Sequence, residues 1–579
     1  MGLFDDLFRT KPIEVIEAEE RKEELPRELG LRDLILIGIG GTVGTGVFAT
    51  TGEIISGAAG PAAFISWLIA GFSCILSGFA YMEMSSLIPS SGSTYAYSYH
   101  VLGELPAAIA AWLLTLEYGM SGAGVARSWG TKVQQWVQEG LPEGSSKADW
   151  LNEEYYSFLA FLVFFLSVGV LLGGMKFGKI FINIFTTTKV VIVLFVIIAG
   201  FAMTNTVNFS PFVPDFVPAQ GEDKAKFGVQ GVMLGAAQAF FGYVGFDEVC
   251  CLAAEAKDPR RVMPRAVIGT VLGTMILSAF ASLALSAMMP LNNETANGNY
   301  NFASGFRYVN LEWAATIVHI GETGTMPIVV LIAFLAQPRL MYAMSVDGLL
   351  PKIFGKVEKN GNLFWSTFIS GSFFCLVALF VPFSYLWNLV SFGILVSFNM
   401  TNSALILNRT RDSSPHIVYR LTGLMVVISC LSMFLFEKGY VEAESNATGY
   451  LVASMILLAV VFGIATLIYV KCPQNVGPRD CYRAPLVPFV PCLAITINWF
   501  LVAQLPARDI GYGFIWIGVA IVMYFAYGFR FSAGRDGWAT MLAEGYVGLN
   551  AVRPSMSSMM ADQKEAILSA KMALPANEH

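Results

Sequence analysis

The sequence predicts an all-α polytopic membrane protein of about 14 transmembrane helices, built as a five-plus-five inverted repeat with broken helices 1 and 6 plus four peripheral helices. Three observations carry this expectation. Hydrophobic residues make up 55% of the 579-residue chain and charged residues only 13%, with a mean hydropathy of +0.60, whereas soluble domains carry about 25% charged residues. Apolar runs of about 20 residues, long enough to cross the hydrocarbon layer, recur between polar breaks along most of the chain. Two of those runs are interrupted by glycine at corresponding places, the sequence mark of a transporter made of two inverted halves.

The apolar runs fall at 34–57, 62–88, 104–130, 157–175, 179–203, 228–256, 265–290, 313–345, 363–381, 384–407, 417–436, 450–470, 486–506 and 511–529. Helices 1 to 5 (34–203) form the first expected repeat and helices 6 to 10 (228–407) the second. Residues 417–529, which lack a comparable glycine break, form the peripheral helices. The first thirty residues are charged throughout, from Glu14 to Glu24 above all, and lack the short apolar region of a cleaved signal. Residues 1–33 and 530–579 are therefore expected as cytosolic tails, the latter with a short helical patch near 562–572.

Orientation follows from the basic residues, because cytoplasmic loops carry an excess of Lys and Arg. With the N-terminus inside, 27 of the 36 fall in cytosolic segments and seven in outer loops, while Arg127 and Lys189 fall within spans. That asymmetry favours cytosolic termini. Sequons at Asn293 and Asn446 lie in outer loops, Asn208 is followed by Pro211 after its sequon, and Asn408 lies inside; such triplets arise often by chance and carry little weight. The eight cysteines lie in spans or in loops assigned to the cytosol, so no disulfide framework is implied. Cys472 and Cys481 have no histidine nearby, and no metal or other cofactor is expected. The net charge of -6 gives no sign of a nucleic-acid partner.

The first break is the stretch Ile37 to Phe48, with five glycines between Gly38 and Gly46. Each glycine in a helix interior costs about 1 kcal/mol relative to Ala, and hydrocarbon tolerates irregular backbone only where it is buried in protein or lines a cavity. A phosphate-cradling glycine loop is excluded, because Val43 stands where G-x-G-x-x-G needs its third glycine and no strand precedes it. The second break is Phe240 to Glu248 in the sixth span, around Gly242 and Gly245.

Several separate motifs now occur in one order: Gly38 to Phe48, Phe241 to Asp247, the basic loop Glu255 to Pro264, Gln337-Pro338-Arg339-Leu340 with Asp347 to Pro351, and Tyr482 to Pro488. Together they resemble the cationic amino acid transporters of the amino acid, polyamine and organocation superfamily, over about residues 27 to 530. The fourteen spans are also like the eukaryotic cationic branch of that family. The resemblance implies the broken-helix fold, transport of arginine, lysine or ornithine, and a multi-pass location, the plasma membrane first and a vacuolar or other endomembrane second. It departs at Pro338, which interrupts a Gln-Thr-Arg pattern, and at Ala256, which replaces the second Glu of a common pair. Lys189 matches proton-coupled bacterial relatives rather than animal members.

An amino acid presents a carboxylate and an ammonium about 3 Å apart, and a broken helix offers both poles. The outer half-helix beginning near Gly44, Thr45 and Gly46 offers amide groups and a positive dipole end. The inner half, with Ile39, Gly40 and Thr42, and the sixth span at Phe241, Gly242 and Tyr243 offer carbonyls. The alternative reading of these glycines is close helix packing. Lys189 lies about 15 Å into the fifth span and is read either as the proton-coupling residue or as a fixed partner of a carboxylate or helix-end carbonyls. Glu117, near mid-depth in the third span, is read as a selectivity residue for the substrate's cationic side chain or as a partner of Arg127. Asp247 is equally a helix cap and a cation contact. Phe240, Phe241, Tyr243 and Phe246 are candidates for an aromatic gate, though packing accounts for any one of them. Glu53, Glu83 and Glu255 are read as structural or gating carboxylates, and Gln337 and Arg339 as part of an inner gate.

The leading expectation is an alternating-access carrier for cationic L-amino acids, with protons as a possible second substrate. A neutral amino acid symporter and a polyamine carrier are the rivals of the same fold, and polyamines lack the carboxylate that the glycine amides suit. A channel would need a pore helix or a charged ring. An enzyme would need a metal or nucleophile set, yet His100, His319, His416 and His579 are dispersed. A disulfide-linked heavy subunit is not expected, since loop 131–156 has no cysteine.

Overall fold

A computed structural model describes residues 6–16, 29–90, 92–139, 156–173, 178–217, 227–291, 300–358, 362–411, 415–442, 448–475 and 480–538. The sequons at Asn293 and Asn446 and the patch at 562–572 lie outside these. Among the described residues the chain is helical, and the sole extended pairing is an isolated bridge between Leu29 and Ala256. Nine helical runs there are long and apolar enough to cross a membrane, with three shorter apolar helices beside them. The first and third expected spans are also helical, but their surfaces are mostly buried in protein and are built largely from Gly, Ala, Ser and Thr.

The first span consists of α1 (Leu31–Thr45) and α2 (Val47–Ile54), separated by Gly46 alone. The break is therefore narrower than five glycines suggest. Most of those glycines serve close approach between helices. A Cβ on Gly38 would stand 2.4 Å from Thr270 Oγ1, and one on Gly40 would stand 2.3 Å from Thr186 Oγ1. Next come α3 (Ala63–Leu87), a short helix α4 (Thr94–Val101), and a third span made of α5 (Glu104–Thr115) and α6 (Ser121–Glu139). The fourth and fifth spans are α7 (Phe158–Leu172) and α8 (Gly178–Ala202).

The sixth span is broken more widely. Helix α9 (Gly228–Ala239) passes into a tight 3-10 turn over Phe240–Tyr243, then an extended Val244, then Gly245 at φ +125, before the short helix α10 (Glu248–Cys251). A φ in that range is open to glycine and strained for other residues. The remaining helices are α11 (Pro259–Met288), α12 (Phe302–Tyr308), α13 (Glu312–Val346), α14 (Phe364–Phe380), α15 (Phe383–Arg409), α16 (Pro415–Phe434), α17 (Thr448–Lys471), α18 (Phe489–Gln504) and α19 (Ala507–Met523).

In the core, α3 packs against α11 and α9, and α1 lies among α11, α8 and α13. Of the last four spans, α16 and α17 pair with each other and α17 turns much apolar surface outward. Helix α18 sits deeper, against α15 and α3. Its buried Asn498 donates to Ser77 Oγ and to Asn399 Oδ1 and accepts from Ser73 Oγ. Buried amides of this kind lock helices together where hydrocarbon gives no drive for apolar association. Glu83 is a clamp between spans: its Oε2 accepts from Arg409 Nη2 at 2.7 Å and from the Ala484 amide at 2.6 Å, while its Oε1 meets Arg409 Nε.

Both described ends of the chain meet on one face. Lys11 Nζ donates to Asp347 Oδ1 at 2.7 Å beyond the end of α13, and Arg9 lies 3.3 Å from Glu104. Ser532 donates to the same Glu104 at 2.7 Å, and Trp538 packs edge-on against Tyr99. Residues 6–16 form a strap across α4 and the start of α5, tied further by the Lys11 amide to the Tyr99 carbonyl at 2.9 Å.

Candidate functional site

The two breaks meet backbone to backbone. A Cβ on Gly46 would stand 2.4 Å from the Gly242 Cα, and one on Gly41 would lie 3.6 Å from the Gly245 Cα. Trp67 of α3 packs over both Gly46 and Gly242, and the Tyr243 hydroxyl donates to the Trp67 carbonyl at 2.8 Å. Gly46 N donates back to the Thr42 carbonyl, and Thr50 N donates to the Gly46 carbonyl. The amides that a helix start leaves without an intrahelical partner therefore belong to the turn after Gly46, slightly beyond the expected Gly44 to Gly46.

Between α5 and α6 the third span carries a π-helical turn, Leu116–Met120, holding Glu117. Single π turns of this kind often mark functional sites in helices. Glu117 and Asp247 are wholly buried, and their carboxyl groups lie within hydrogen-bonding reach of each other. Among the described residues no donor satisfies any of their four oxygens. The backbone amides of Asp247 itself, Glu248 and Gly245 come nearest to the Asp247 carboxyl. The groups whose charge Glu117 feels are Asp247 and Glu248, both acidic.

The two buried cations expected within the spans, Arg127 and Lys189, are engaged elsewhere. Arg127 Nε donates to the Val381 carbonyl at 2.8 Å. Lys189 Nζ donates to the Gly40 carbonyl at 2.8 Å, bridging α8 to α1. Buried acids without a counter-cation are costly; a cationic ligand beside them would relieve that cost.

The structure thus brings Gly46 to Gly242, and Glu117 to Asp247. Other expected residues are engaged by neighbouring helices, with Thr42 also lying against Gly245. Ile39 packs on Gly273 of α11, Thr42 Oγ1 lies 2.6 Å from Thr274 Oγ1 of α11 and donates to the Gly38 carbonyl, and Gly40 is turned to α8. Gly44 and Thr45 are helical, and the Thr45 side chain lies outside the described residues. Phe241 stacks edge-on against Phe383 at 5.7 Å and covers Gly124, while Phe240 and Phe246 join Phe398 in an aromatic cluster.

On the face with the chain ends, Arg339 pairs with Glu255 at 2.8 Å. On the opposite face Lys132 pairs with Glu322 at 2.8 Å, and Trp136 stacks on His319. Gln337 reaches Thr115 Oγ1 at 3.4 Å, two residues before Glu117. Sequence reasoning missed Trp67, whose contact with both breaks has no local signal. It also passed over Glu248, although an acidic doublet inside an apolar run was a visible clue. All eight cysteines are free, and among the described residues no His, Cys, Asp and Glu cluster could hold a metal.

Comparison with known proteins agrees with this architecture. Residues 29–436 match the family described as "Amino acid permease", and residues 482–532 match "C-terminus of AA_permease". The chain is 34% identical to the methylthioribose transporter of Bacillus subtilis (strain 168), over 73% of this chain and 89% of that protein. It is 29% identical to cationic amino acid transporter 1 of Arabidopsis thaliana, over 91% of this chain and 87% of that one. It is 28% identical to cationic amino acid transporter 4 of Mus musculus, over 90% of both chains.

Proposed function

The chain belongs to the amino acid permease family, whose members are multi-pass membrane transporters rather than enzymes, and on that premise we propose that it carries cationic L-amino acids by alternating access. The observation that carries this reading is the buried Glu117 and Asp247 pair, which no donor of the described residues satisfies. Arginine, lysine or ornithine would place its α-carboxylate at the amides after Gly46, its α-ammonium at carbonyls of the sixth-span break, and its side-chain cation at Glu117 and Asp247. The halves 34–203 and 228–407 rock about these breaks, and 417–529 supports them. A membrane potential of about 100 mV supplies about 2.3 kcal/mol per charge, enough for roughly fifty-fold accumulation.

Both termini are assigned to the cytosol by the excess of basic residues on that side, and the plasma membrane is the proposed location. Lys189 is the proposed proton-coupling residue. Its ammonium holds the Gly40 carbonyl, so loss of its proton would free α1 to move relative to α8. A specific observation also favours a second reading: two carboxyls in mutual reach can share one proton and so carry one charge fewer, which suits a neutral solute such as a neutral amino acid.

The test is uptake of labelled lysine, arginine, leucine, putrescine and methylthioribose into proteoliposomes, with and without an inward proton gradient. Lysine and arginine uptake that rises with an inside-negative potential supports the proposal. Exclusive uptake of leucine or methylthioribose overturns it. Glu117→Gln should raise the half-saturating arginine concentration about tenfold or more, since a charge-assisted bond contributes about 1.5–3 kcal/mol. Lys189→Met should abolish the proton-gradient response, and a retained response removes Lys189 from the coupling.

A further inference from the structure

Glu248 follows Asp247 directly but points elsewhere. Asp247 faces Glu117, whereas a carboxylate oxygen of Glu248 lies 3.5 Å from the point a Cβ on Gly41 would occupy. Glu248 is 6% exposed, and its Oε1 has no hydrogen-bond partner. It lines a cavity of about 20 Å³ together with Ile37, Cys251, Leu252, Ala336 and Arg339. A volume near 15 Å³ or above admits one water-sized group, and an ammonium head is of that size. The cavity lies between the meeting point of the two breaks and the face with the chain ends. On that side stands the Arg339–Glu255 pair, each side chain only 18% exposed.

We propose that Glu248 is a transit site for the substrate's ammonium group, between the central site and the cytosolic face, and that Arg339 is the tethered cation that displaces it. This rests on the cationic reading above. A buried carboxylate oxygen left without a partner is costly, so Glu248 draws the ammonium from Asp247 by one residue's step. Arg339 lines the same cavity and is held by Glu255 while the path is closed. When α13 moves and that pair parts, the guanidinium reaches Glu248, neutralises it and pushes the substrate cation out. Substrate entering from the cytosol reverses the order, meeting Glu248 before Asp247.

The experiment uses the full-length protein in proteoliposomes of fixed orientation, with labelled lysine offered to one face at a time. Glu248→Gln, which keeps the side-chain shape, should raise the half-saturating lysine concentration at the terminal-bearing face about tenfold while leaving that at the opposite face within twofold. Glu248→Asp should recover part of the loss. The unchanged opposite-face value also reports that the variant is folded. Equal shifts at both faces would place Glu248 in the central site, and no shift at either face would remove it from the path; both overturn the inference while lysine transport by the wild type stands. Wild-type protein that carries leucine or methylthioribose but no lysine overturns the cationic reading itself, and this inference with it.

Discussion

Replacing Lys11 by methionine removes the cation that pins the N-terminal strap to the end of α13. Lys11 and Asp347 are both buried, the ammonium lies 2.7 Å from one carboxylate oxygen, and the Tyr95 hydroxyl holds the other. A charge-assisted bond contributes about 1.5–3 kcal/mol, and stranding a buried charge costs about 3–5 kcal/mol. The strap of residues 6–16 is held by a few polar contacts, so it can peel away and let water reach Asp347. The observed loss is then capped by the docking energy of the strap, and about 1.5–3 kcal/mol in favour of the undocked form corresponds to roughly ten- to a hundred-and-fifty-fold. Amide exchange at Lys11, whose N–H bonds the Tyr99 carbonyl, should accelerate by that factor. Asp347→Asn should do the same, and the double variant should add little, because both changes remove one shared interaction. Exchange within twofold of wild type would refute the reasoning.

Other perturbations have equally definite outcomes. Glu83→Gln leaves the buried Arg409 guanidinium without its counter-charge and should lower stability by about 3 kcal/mol, read as a loss of monodisperse protein on heating in detergent; the pair Glu83→Gln with Arg409→Met should recover part of it. His100 of α4 accepts at Nε2 from Arg411, because a guanidinium only donates, so its Nδ1–H donates to the Lys11 carbonyl. Burial foremost, with Arg411, holds its pKa below the ordinary 6.5, against the Lys11 carbonyl and Glu14. The undocked form therefore binds the proton first, and strap stability should stay level above about pH 6.5 and fall as the pH drops below it. His100→Gln should flatten that dependence in pH-corrected amide exchange, and a persistent dependence would exclude His100. Gly46→Ala drives a Cβ against the Gly242 backbone and should abolish transport or folding, as overpacking costs about 1–3 kcal/mol or more. Gly463→Ala, with open space around it, should be neutral in the same uptake assay.

The membrane class and most of the long apolar helices were readable from one dimension, because hydrocarbon demands about 20 apolar residues whatever the neighbours do. The two breaks were readable for a related reason, since runs of glycine inside a span are unusual enough to need an explanation. Their extents were not. Gly38 and Gly40 serve the approach of α11 and α8, and only contact partners far along the chain, Thr270 and Thr186, reveal that. The family was legible from the order of several motifs.

What only tertiary structure decided is which charges meet. Glu117 was a lone acid in the sequence, with Arg127 ten residues on as a candidate partner; the fold instead sets Asp247 beside it and turns Arg127 to Val381. Lys189 was visible as a cation inside an apolar run, yet its bond to the Gly40 carbonyl depends on the packing of α8 against α1. The strap across α4 joins residues more than 300 apart in Lys11 and Asp347. Solvation by lipid is a local property that a sequence window records, whereas pairing of buried charges is fixed by distances between segments, and those exist only once the helices have packed.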